Sequence, residues 1–445
     1  MAKPEVTVGI DVGTSSVKAV AADADGNVVA RTRIGHGFAV PSPMRFEHDA
    51  RVAWLDGPRA AFRELRELAP RAVSVAAMVP SLCAVDVDGV PCTPGLLYGD
   101  ERGDTGSTGS PAESGELAAF LGWIAHEAPA ARGYWPAQAV ANFGLCGDGV
   151  ISTTTAATAT PLFDWTGWDA ALVARAGARV EQMPRIEVSG RAVGDVVDVP
   201  GCVLEAGTID ALGEQVVAGA DRDGDVLVIC GTTLIVWIVV SEPREVPGCF
   251  TVPHTVAGKF LVGGPSNAGG LFLDWVRRLV EPGTDPDIGS DTAHPDAVPI
   301  WLPYPRGERV PLHDRARRAV LLDLDLTHDA AAVRRGAYEA AGFVVRRMVD
   351  AAGVTPQRVI ATGGGTRDER WIQALADTTG ISVDVAAVVE GGALGAAFLA
   401  RLAAGLETNL ADGARWARRD RTVDPRHAWI EPTAARYARF SELGR

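Results

Sequence analysis

Val8-Gly9-Ile10-Asp11-Val12-Gly13-Thr14-Ser15-Ser16-Val17-Lys18-Ala19-Val20 is the stretch that decides how the rest of the chain is read. An apolar run (Val6, Val8, Ile10) ends in an acidic residue. A Gly-Thr-Ser-Ser turn follows, and Val17, Ala19 and Val20 resume as a second strand, the pattern of a β-hairpin. The tip gathers hydroxyls, backbone N–H groups and one lysine. Consecutive N–H groups in a tight turn form a concavity that holds anionic oxygens, and the hydroxyls add donors. Asp11, at the strand end, stands where a carboxylate can hold a metal ion through water, as magnesium prefers. Taken alone, the same residues fit an ordinary surface hairpin.

The pattern recurs. Asp225–Cys230 reads as a short buried strand, Gly231-Thr232-Thr233 as a turn and Leu234–Val240 as the returning strand. Strand, Gly-Thr turn, strand thus occurs near residue 13 and again near residue 231. A duplicated fold is expected, with two phosphate loops facing each other across a cleft.

Between and after the two hairpins the chain alternates short strands with helical stretches. Val28-Val29-Ala30 completes a meander, Leu55–Leu68 has helical spacing closed by Pro70, and Val73–Ala77 is a buried strand. A hairpin with its turn at Asp88-Gly89 leads to Leu96-Leu97-Tyr98, and residues 103–111 form a small-residue loop. Helices are expected at Trp168–Ala176, Ala211–Ala220, Gly270–Val280, Ala330–Ala352 and Asp368–Thr378. The strand at Val359-Ile360-Ala361 runs into Gly363-Gly364-Gly365, and Glu390–Ala397 is a small-residue helix able to pack very close to a neighbour. Residues 404–445 read as a C-terminal tail with one helix over Thr433–Leu443. Together these describe a mixed α/β sheet protein with helices packed on the sheets.

Composition bounds the function. The chain has 445 residues, 47% hydrophobic and 22% charged, which is material for two domains. A formal net charge of −14 leaves no basic stripe, which argues against a nucleic acid or an anionic membrane as partner. The arginine pairs (Arg317-Arg318, Arg334-Arg335, Arg346-Arg347, Arg418-Arg419) are expected on solvated faces. The six cysteines make no C-x-x-C, and none of the eight histidines falls in a metal-ligand spacing. Reduced core thiols, the absence of a signal peptide and a longest apolar run of only Leu234–Val240 give a cytoplasmic expectation. The sequence leaves the assembly open, a homodimer included.

The motifs in order resemble those of the FGGY family of carbohydrate kinases, on its xylulose kinase-like branch. They are Asp11-Val-Gly-Thr-Ser-Ser-Val-Lys18, Leu97-Tyr98-Gly99-Asp100-Glu101-Arg102, Gly207-Thr-Ile-Asp210 and Gly231-Thr-Thr233. Leu302-Pro-Tyr304-Pro-Arg-Gly307-Glu308-Arg309, Ala361-Thr-Gly-Gly-Gly365 and Glu390-Gly-Gly-Ala-Leu-Gly-Ala-Ala397 complete the series. The resemblance covers nearly the whole chain. It implies a two-domain actin-like ATPase fold, ribonuclease H-like and duplicated, with a cleft between domains at 1–217 (sugar side) and 218–445 (ATP side). It implies ATP and Mg²⁺, and a small sugar, polyol or sugar acid as substrate, with a ketopentose such as xylulose or ribulose favoured. By matching position, Asp210 is the general base, Asp11 organises Mg²⁺, and Gly13, Thr14, Ser15 and Lys18 line the phosphates. Gly231 and Thr232 meet the triphosphate, Gly364 and Gly365 the adenosine, and Gly270 and Asp274 lie near the nucleotide. Asp100 and Arg102 face the sugar.

Residue chemistry runs beside that reading. Phosphoryl transfer asks for positioning and charge neutralisation, and with no G-x-x-x-x-G-K-[ST] loop in the chain the two Gly-Thr turns must supply the cradle. Asp210 reads from sequence alone as an N-cap of the next helix, and as a base once its motif is matched. Glu214, one turn on, is the alternative carboxylate or a helix-surface residue. Asp100 and Arg102 fit either vicinal sugar hydroxyls or a surface ion pair, and Glu308 and Arg309 fit a domain core or hinge. The chain departs from the family at Val79-Pro80, where the xylulose kinase branch has Met-His and the glycerol kinase branch Arg-Glu, and Tyr98 stands for a Trp. These departures touch the sugar and leave the ATP motifs intact. Two other readings stay open: an ATPase of the same fold whose turnover ignores sugars, and a catalytically silent sugar- or nucleotide-binding regulator.

Overall fold

The strand Thr7–Val12 is buried along its whole length, so it lies inside a sheet covered on both faces. This is seen in a computed structural model that describes residues 5–42, 44–103, 115–254, 258–280, 293–388 and 390–443. The chain divides into two compact units, Met1–Gly219 with Glu390–Trp416, and Ala220–Val389 with Ala417–Arg445. The first break falls two residues from the expected 217/218 boundary. The expectation of two continuous stretches does not describe Glu390–Trp416, which returns to pack in the first unit.

In the first unit the sheet runs Ala192–Asp195, Val203–Glu205, Ala72–Ala77, Thr7–Val12, Ser16–Ala22, Val28–Gly35. Thr7–Val12 pairs antiparallel with Ser16–Ala22 and parallel with Ala72–Ala77, which pairs parallel with Val203–Glu205 and with the short strand Thr208–Ile209. The helix Gly391–Ala403 lies on this sheet, buried through most of its length. Its small residues make that possible. A Cβ at Gly9 would run into the Ala393 carbonyl, and one at Gly395 into the backbone of Gly213. The Thr7 hydroxyl donates to the Ala397 carbonyl at 2.8 Å. A close three-layer contact between strand, helix and the neighbouring helix Asp210–Ala218 explains why a segment so far along the chain belongs here.

In the second unit the order is Phe250–Pro253, Phe260–Ser266, Leu234–Val240, Asp225–Cys230, Arg358–Thr362, Val383–Ala386, Arg419–Val423. Asp225–Cys230 again pairs antiparallel with the strand after its turn and parallel with the strand on its other side. Antiparallel meander, central strand, then parallel strands is therefore common to both sheets, the second carrying Phe250–Pro253 as an extra edge. Helices Ala330–Ala352 and Glu369–Thr379 cover this sheet, and Met348, Phe343 and Ile372 fill the core.

Several expectations change. The C-terminal stretch is no tail: Arg419–Val423 is a sheet strand, and the helix His427–Leu443 buries Trp429, Tyr437 and Phe440. Arg334 and Arg335 are buried rather than solvated, because Arg335 binds Glu339 at 3.0 Å and Asp377 at 2.7 Å. Arg347 donates to the Tyr304 hydroxyl at 3.1 Å, whereas Arg418 and Arg419 are exposed as expected. All six thiols are free, but Cys92 is exposed rather than in a core. Leu55–Leu68 is a π turn, an α-helix over Gly57–Leu65 started by Pro58, and a 3₁₀ turn. Residues 104–111 of the expected small-residue loop lie outside the described residues. Among the described residues no helix is long and apolar enough to cross a membrane.

Candidate active site

Three parallel strands of the first unit end at one edge of its sheet. Asp11 lies beside Ala76 and Ala76 beside Thr208, so the chain leaves this edge as Gly13-Thr14, as Met78-Val79-Pro80 and as Asp210. Adjacent strands are ~4.8 Å apart, which sets Asp11 and Thr208 ~10 Å from each other across Ala76. The carboxyl ends of parallel strands are where open α/β sheets bind ligands.

Asp11 is buried, and its Oδ2 meets Lys18 Nζ at 3.5 Å across the hairpin. Its Oδ1 is buried with no hydrogen-bond partner. A buried acceptor without a partner costs stability, and the residues present fit a hydrated divalent cation held by one protein carboxylate, Asp11. Among the described residues there is no group of three or more His, Cys, Asp or Glu side chains that could hold a metal ion. Lys18 is held above its ordinary pKa, chiefly by the charge of Asp11, against desolvation and with help from Glu214. Glu214 is half-buried, and its carboxylate lies against Gly391 at the start of the helix Gly391–Ala403. An anion there is favoured by the helix dipole, so Glu214 is not the surface residue it could have been.

The turn is braced from behind. His48 is buried, its Nε2–H donates to the Thr14 carbonyl at 2.7 Å, and its Nδ1 accepts the Trp54 indole N–H at 2.9 Å. Burial lowers its pKa to about 4, so the ring is neutral and this tautomer is fixed at neutral pH. The Thr14 hydroxyl is bonded to the Tyr98 hydroxyl at 2.9 Å, and the Gly13 N–H closes the turn onto the Ser16 carbonyl. Ser15 is exposed at the tip.

Asp210 opens the helix Asp210–Ala218, one residue earlier than expected, so Ile209 is the cap and Asp210 is the first helical residue. It is half-buried, and its Oδ1 accepts the Ala211 N–H at 2.8 Å. Asp100 and Arg102 are a buried pair with their charges spent inside the protein. Asp100 accepts the Phe46 N–H at 2.6 Å and two guanidinium N–H groups of Arg102 at 2.8 and 2.7 Å. Arg102 also binds Glu47 at 2.7 Å and lies 4.7 Å over the Trp123 ring. Val79 and Pro80 line a small recess with Leu117, Ile151 and Trp168.

The second unit has its own edge of glycines. Asp225–Cys230 ends in Gly231, and the parallel Arg358–Thr362 ends in Gly363-Gly364-Gly365. Gly270, which opens the helix Gly270–Val280, donates to the Gly231 carbonyl at 2.8 Å, and Leu271 N–H to the Thr232 carbonyl at 3.1 Å. Only a Gly fits at 365, where a Cβ would run into the Trp371 ring, whereas Gly364 has open space around it. Thr232 is exposed. Asp274 points to solvent, 3.4 Å from Arg277.

Residues not singled out from sequence also build the site. His48 gave no signal as a lone histidine. Gln138 and Asn142, one turn apart in the apolar Ala137–Cys146 helix, and Glu205 are buried beside the strand that leads to Asp210. Amides at i and i+4 in an apolar helix were the signal available. Glu205 accepts from the Ser74 hydroxyl at 2.6 Å and the Gly207 N–H at 2.7 Å, and burial pushes its pKa up to about 7.

The chain is similar to several known proteins. Residues 226–404 match the FGGY family of carbohydrate kinases, C-terminal domain. A xylulose kinase of Escherichia coli (strain K12) is 26% identical, over 91% of each chain. A gluconokinase of Bacillus subtilis (strain 168) is 24% identical, over 89% of this chain and 87% of that one. The crystal structure of gluconate kinase from Lactobacillus acidophilus superposes with a TM-score of 0.83 at 22% identity, over 99% of this chain and 97% of that one. The fold is the two-domain actin-like ATPase fold.

Proposed function

We propose that this chain, whose residues 226–404 match the FGGY family of carbohydrate kinases, C-terminal domain, moves the γ-phosphoryl group of ATP to a hydroxyl of a ketopentose such as xylulose or ribulose, with Asp210 as general base. The observation that carries the reading is the shared edge of the first unit, where the Asp11 hairpin, Val79-Pro80 and Asp210 leave three adjacent strand ends. Asp210 takes the proton of the acceptor hydroxyl as its oxygen bonds to phosphorus and the bond to the β-phosphate oxygen breaks, releasing ADP. Gly13, Thr14, Ser15 and Lys18 orient the transferring phosphate, and Asp11 with its bare Oδ1 would hold Mg²⁺, which neutralises phosphate charge when bound. Gly231, Thr232 and Gly270 are assigned to the triphosphate, and Gly364 and Gly365 to the adenosine. Asp274 serves at most the rim of that region.

Asp100 and Arg102 we assign to holding the Leu97–Gly103 wall behind Tyr98, since both are bonded within the protein. Val79 and Pro80 give the sugar an apolar wall. The reaction belongs in the cytosol, where exposed thiols such as Cys92 stay reduced.

The test is ADP release from Mg-ATP with D-xylulose, D-ribulose, xylitol, erythritol, glycerol and D-gluconate, in wild type and Asp210→Asn. One acceptor, a pentulose, is expected to raise turnover, and Asp210→Asn to abolish the rise. Turnover indifferent to every acceptor supports an ATPase of the same fold instead, and a rise that survives Asp210→Asn removes Asp210 as base.

A further inference from the structure

Between Val203–Glu205 and Thr208–Ile209 the strand carrying Asp210 breaks its pairing with Ala72–Ala77. Leu204 pairs with Val73, but Thr208 pairs with Ala76, so one extra residue is inserted on the Asp210 side. This is a bulge, a device that re-aims the next residues of its strand. Gly207 sits in it with φ of +103°, a backbone that suits glycine, and a Cβ there would run into the Gln138 amide.

On the side of Ala72–Ala77 the bulge is held by side chains rather than by a ladder, while on the other side the Ala206 N–H donates to the Arg191 carbonyl at 3.0 Å. Gln138 Nε2 donates to the Thr208 carbonyl at 2.8 Å and to the Val75 carbonyl at 3.2 Å, while its Oε1 accepts the Ser152 N–H at 2.8 Å. Asn142 Nδ2 donates to the Ala206 carbonyl at 3.0 Å and the Val150 carbonyl at 2.9 Å. Both amides are fully buried, and Asn142 leaves its own Oδ1 buried without a partner. Packing alone gives no reason for such an amide, because a buried polar atom left bare costs stability that an apolar side chain of similar size would not. What the two amides do supply is a pair of fixed donors to the carbonyls on either side of Gly207.

We infer that Gln138 and Asn142 are positioning residues for phosphoryl transfer: their amides clamp the bulge at Ala206–Thr208 and so aim Asp210 at the acceptor hydroxyl. Gln138 also ties Val75 to Thr208, which fixes the strand leading to Val79-Pro80 against the strand leading to the base. The clamp therefore sets the separation between the apolar wall of the sugar region and the proton acceptor. The inference rests on Asp210 as base, and it orders its own residues. Gln138 grips two residues before Asp210 and Asn142 four, so loss of Gln138 disturbs the aim more.

Gln138→Leu keeps the volume and removes the donors, and Asn142→Ala is the second variant. Both are assayed for Tm, kcat and both KM values with Mg-ATP and the acceptor that raises wild-type turnover, beside Asp210→Asn. A misplacement of about 1 Å costs on the order of a hundredfold, so kcat is expected to fall by about 10- to 100-fold in Gln138→Leu and by less in Asn142→Ala, with KM for ATP within about threefold of wild type. Folded variants with unchanged kcat overturn the inference, as do kcat and the ATP KM moving together. An effect of Asn142→Ala equal to or above that of Gln138→Leu overturns it too, and so does loss of folding in both variants, since the amides are then staples of the fold. If Asp210→Asn keeps full acceptor-dependent turnover, the base assignment is what fails. If Asp210→Asn is inactive while Gln138→Leu is not, the clamp alone fails.

Discussion

The two Gly-Thr hairpins share a topology and differ in charge at one rung. In the first unit the second cross-strand pair back from the turn is Asp11 opposite Lys18; in the second it is Ile229 opposite Ile235. In each pair the member on the central strand is buried and the one on the returning strand is half-buried. The other strand ends differ in the same sense. Met78-Val79-Pro80 and Asp210 leave the first sheet, Gly363-Gly364-Gly365 and Ala387 the second. One scaffold therefore carries two chemistries: ionisable side chains at one edge, bare backbone at the other. Backbone N–H groups hold anionic oxygens without taking or giving a proton, so the proposed reaction assigns its proton transfer to the first unit.

The largest effect expected from this division is at Asp210. Asp210→Asn should lower acceptor-dependent kcat by about 10³-fold, the range of a positioned general base, read as ADP release at saturating acceptor. Next comes the rung itself. Ile229→Asp places a carboxylate in the second hairpin where Asp11 stands in the first, but against aliphatic neighbours. It should cost about 3 kcal/mol by denaturant unfolding, and adding Ile235→Lys should return part of that loss. If Ile229→Asp is tolerated unaided, the charged rung of the first unit is not a special environment.

Each unit should answer to pH through one buried carboxyl set against buried histidines. Burial raises Glu308 to about 7 in the second unit, and a carboxyl whose folded pKa is raised loses stabilisation as pH climbs from the unfolded value near 4.5 to 7. Glu205 does the same in the first unit, but there His48 is lowered to about 4, and its penalty for staying neutral is relieved as pH rises from 4 to 6.5. Between pH 5 and 7 Glu308 by itself should cost the second unit about 2 kcal/mol, against which His254 and His313, both lowered by burial, work as His48 does in the first. Hydrogen exchange resolved by unit and corrected for intrinsic rate, in wild type and Glu308→Gln, measures this, and a pH slope of the second unit unchanged by the substitution would contradict it.

How much the sequence disclosed depends on the range of the interactions involved. The hairpins were legible because turn chemistry is local, and the helix Ala330–Ala352 was legible to both ends because Asp329 caps it and Gly353 stops it with φ of +62°. Asp11 and Asp210 were singled out by their motifs, and the structure sets both at one edge of the first sheet. Long-range effects were not legible. The burial of Arg335 depends on Asp377, the closure of the Asp100–Arg102 pair depends on Glu47 and the Phe46 N–H, and Glu390–Trp416 joins the first unit only because Gly9 and Gly213 let its helix in. The bulge before Asp210 is a register fact, visible only once Leu204 and Thr208 are paired with their neighbours.

The smallest effects separate glycines that serve the fold from those open to a ligand. Gly365→Ala drives a methyl group into the Trp371 ring and the Cys230 carbonyl, and overpacking of that kind costs about 2 kcal/mol of stability. Gly364→Ala meets nothing in the protein, so its Tm should stay at the wild-type value. If the adenosine lies on that open face, the same methyl group should raise KM for ATP by about tenfold with kcat and the acceptor KM unchanged. A variant at 364 with the wild-type ATP KM would move the adenosine off this turn and leave the glycine edge of the second unit to the phosphates alone.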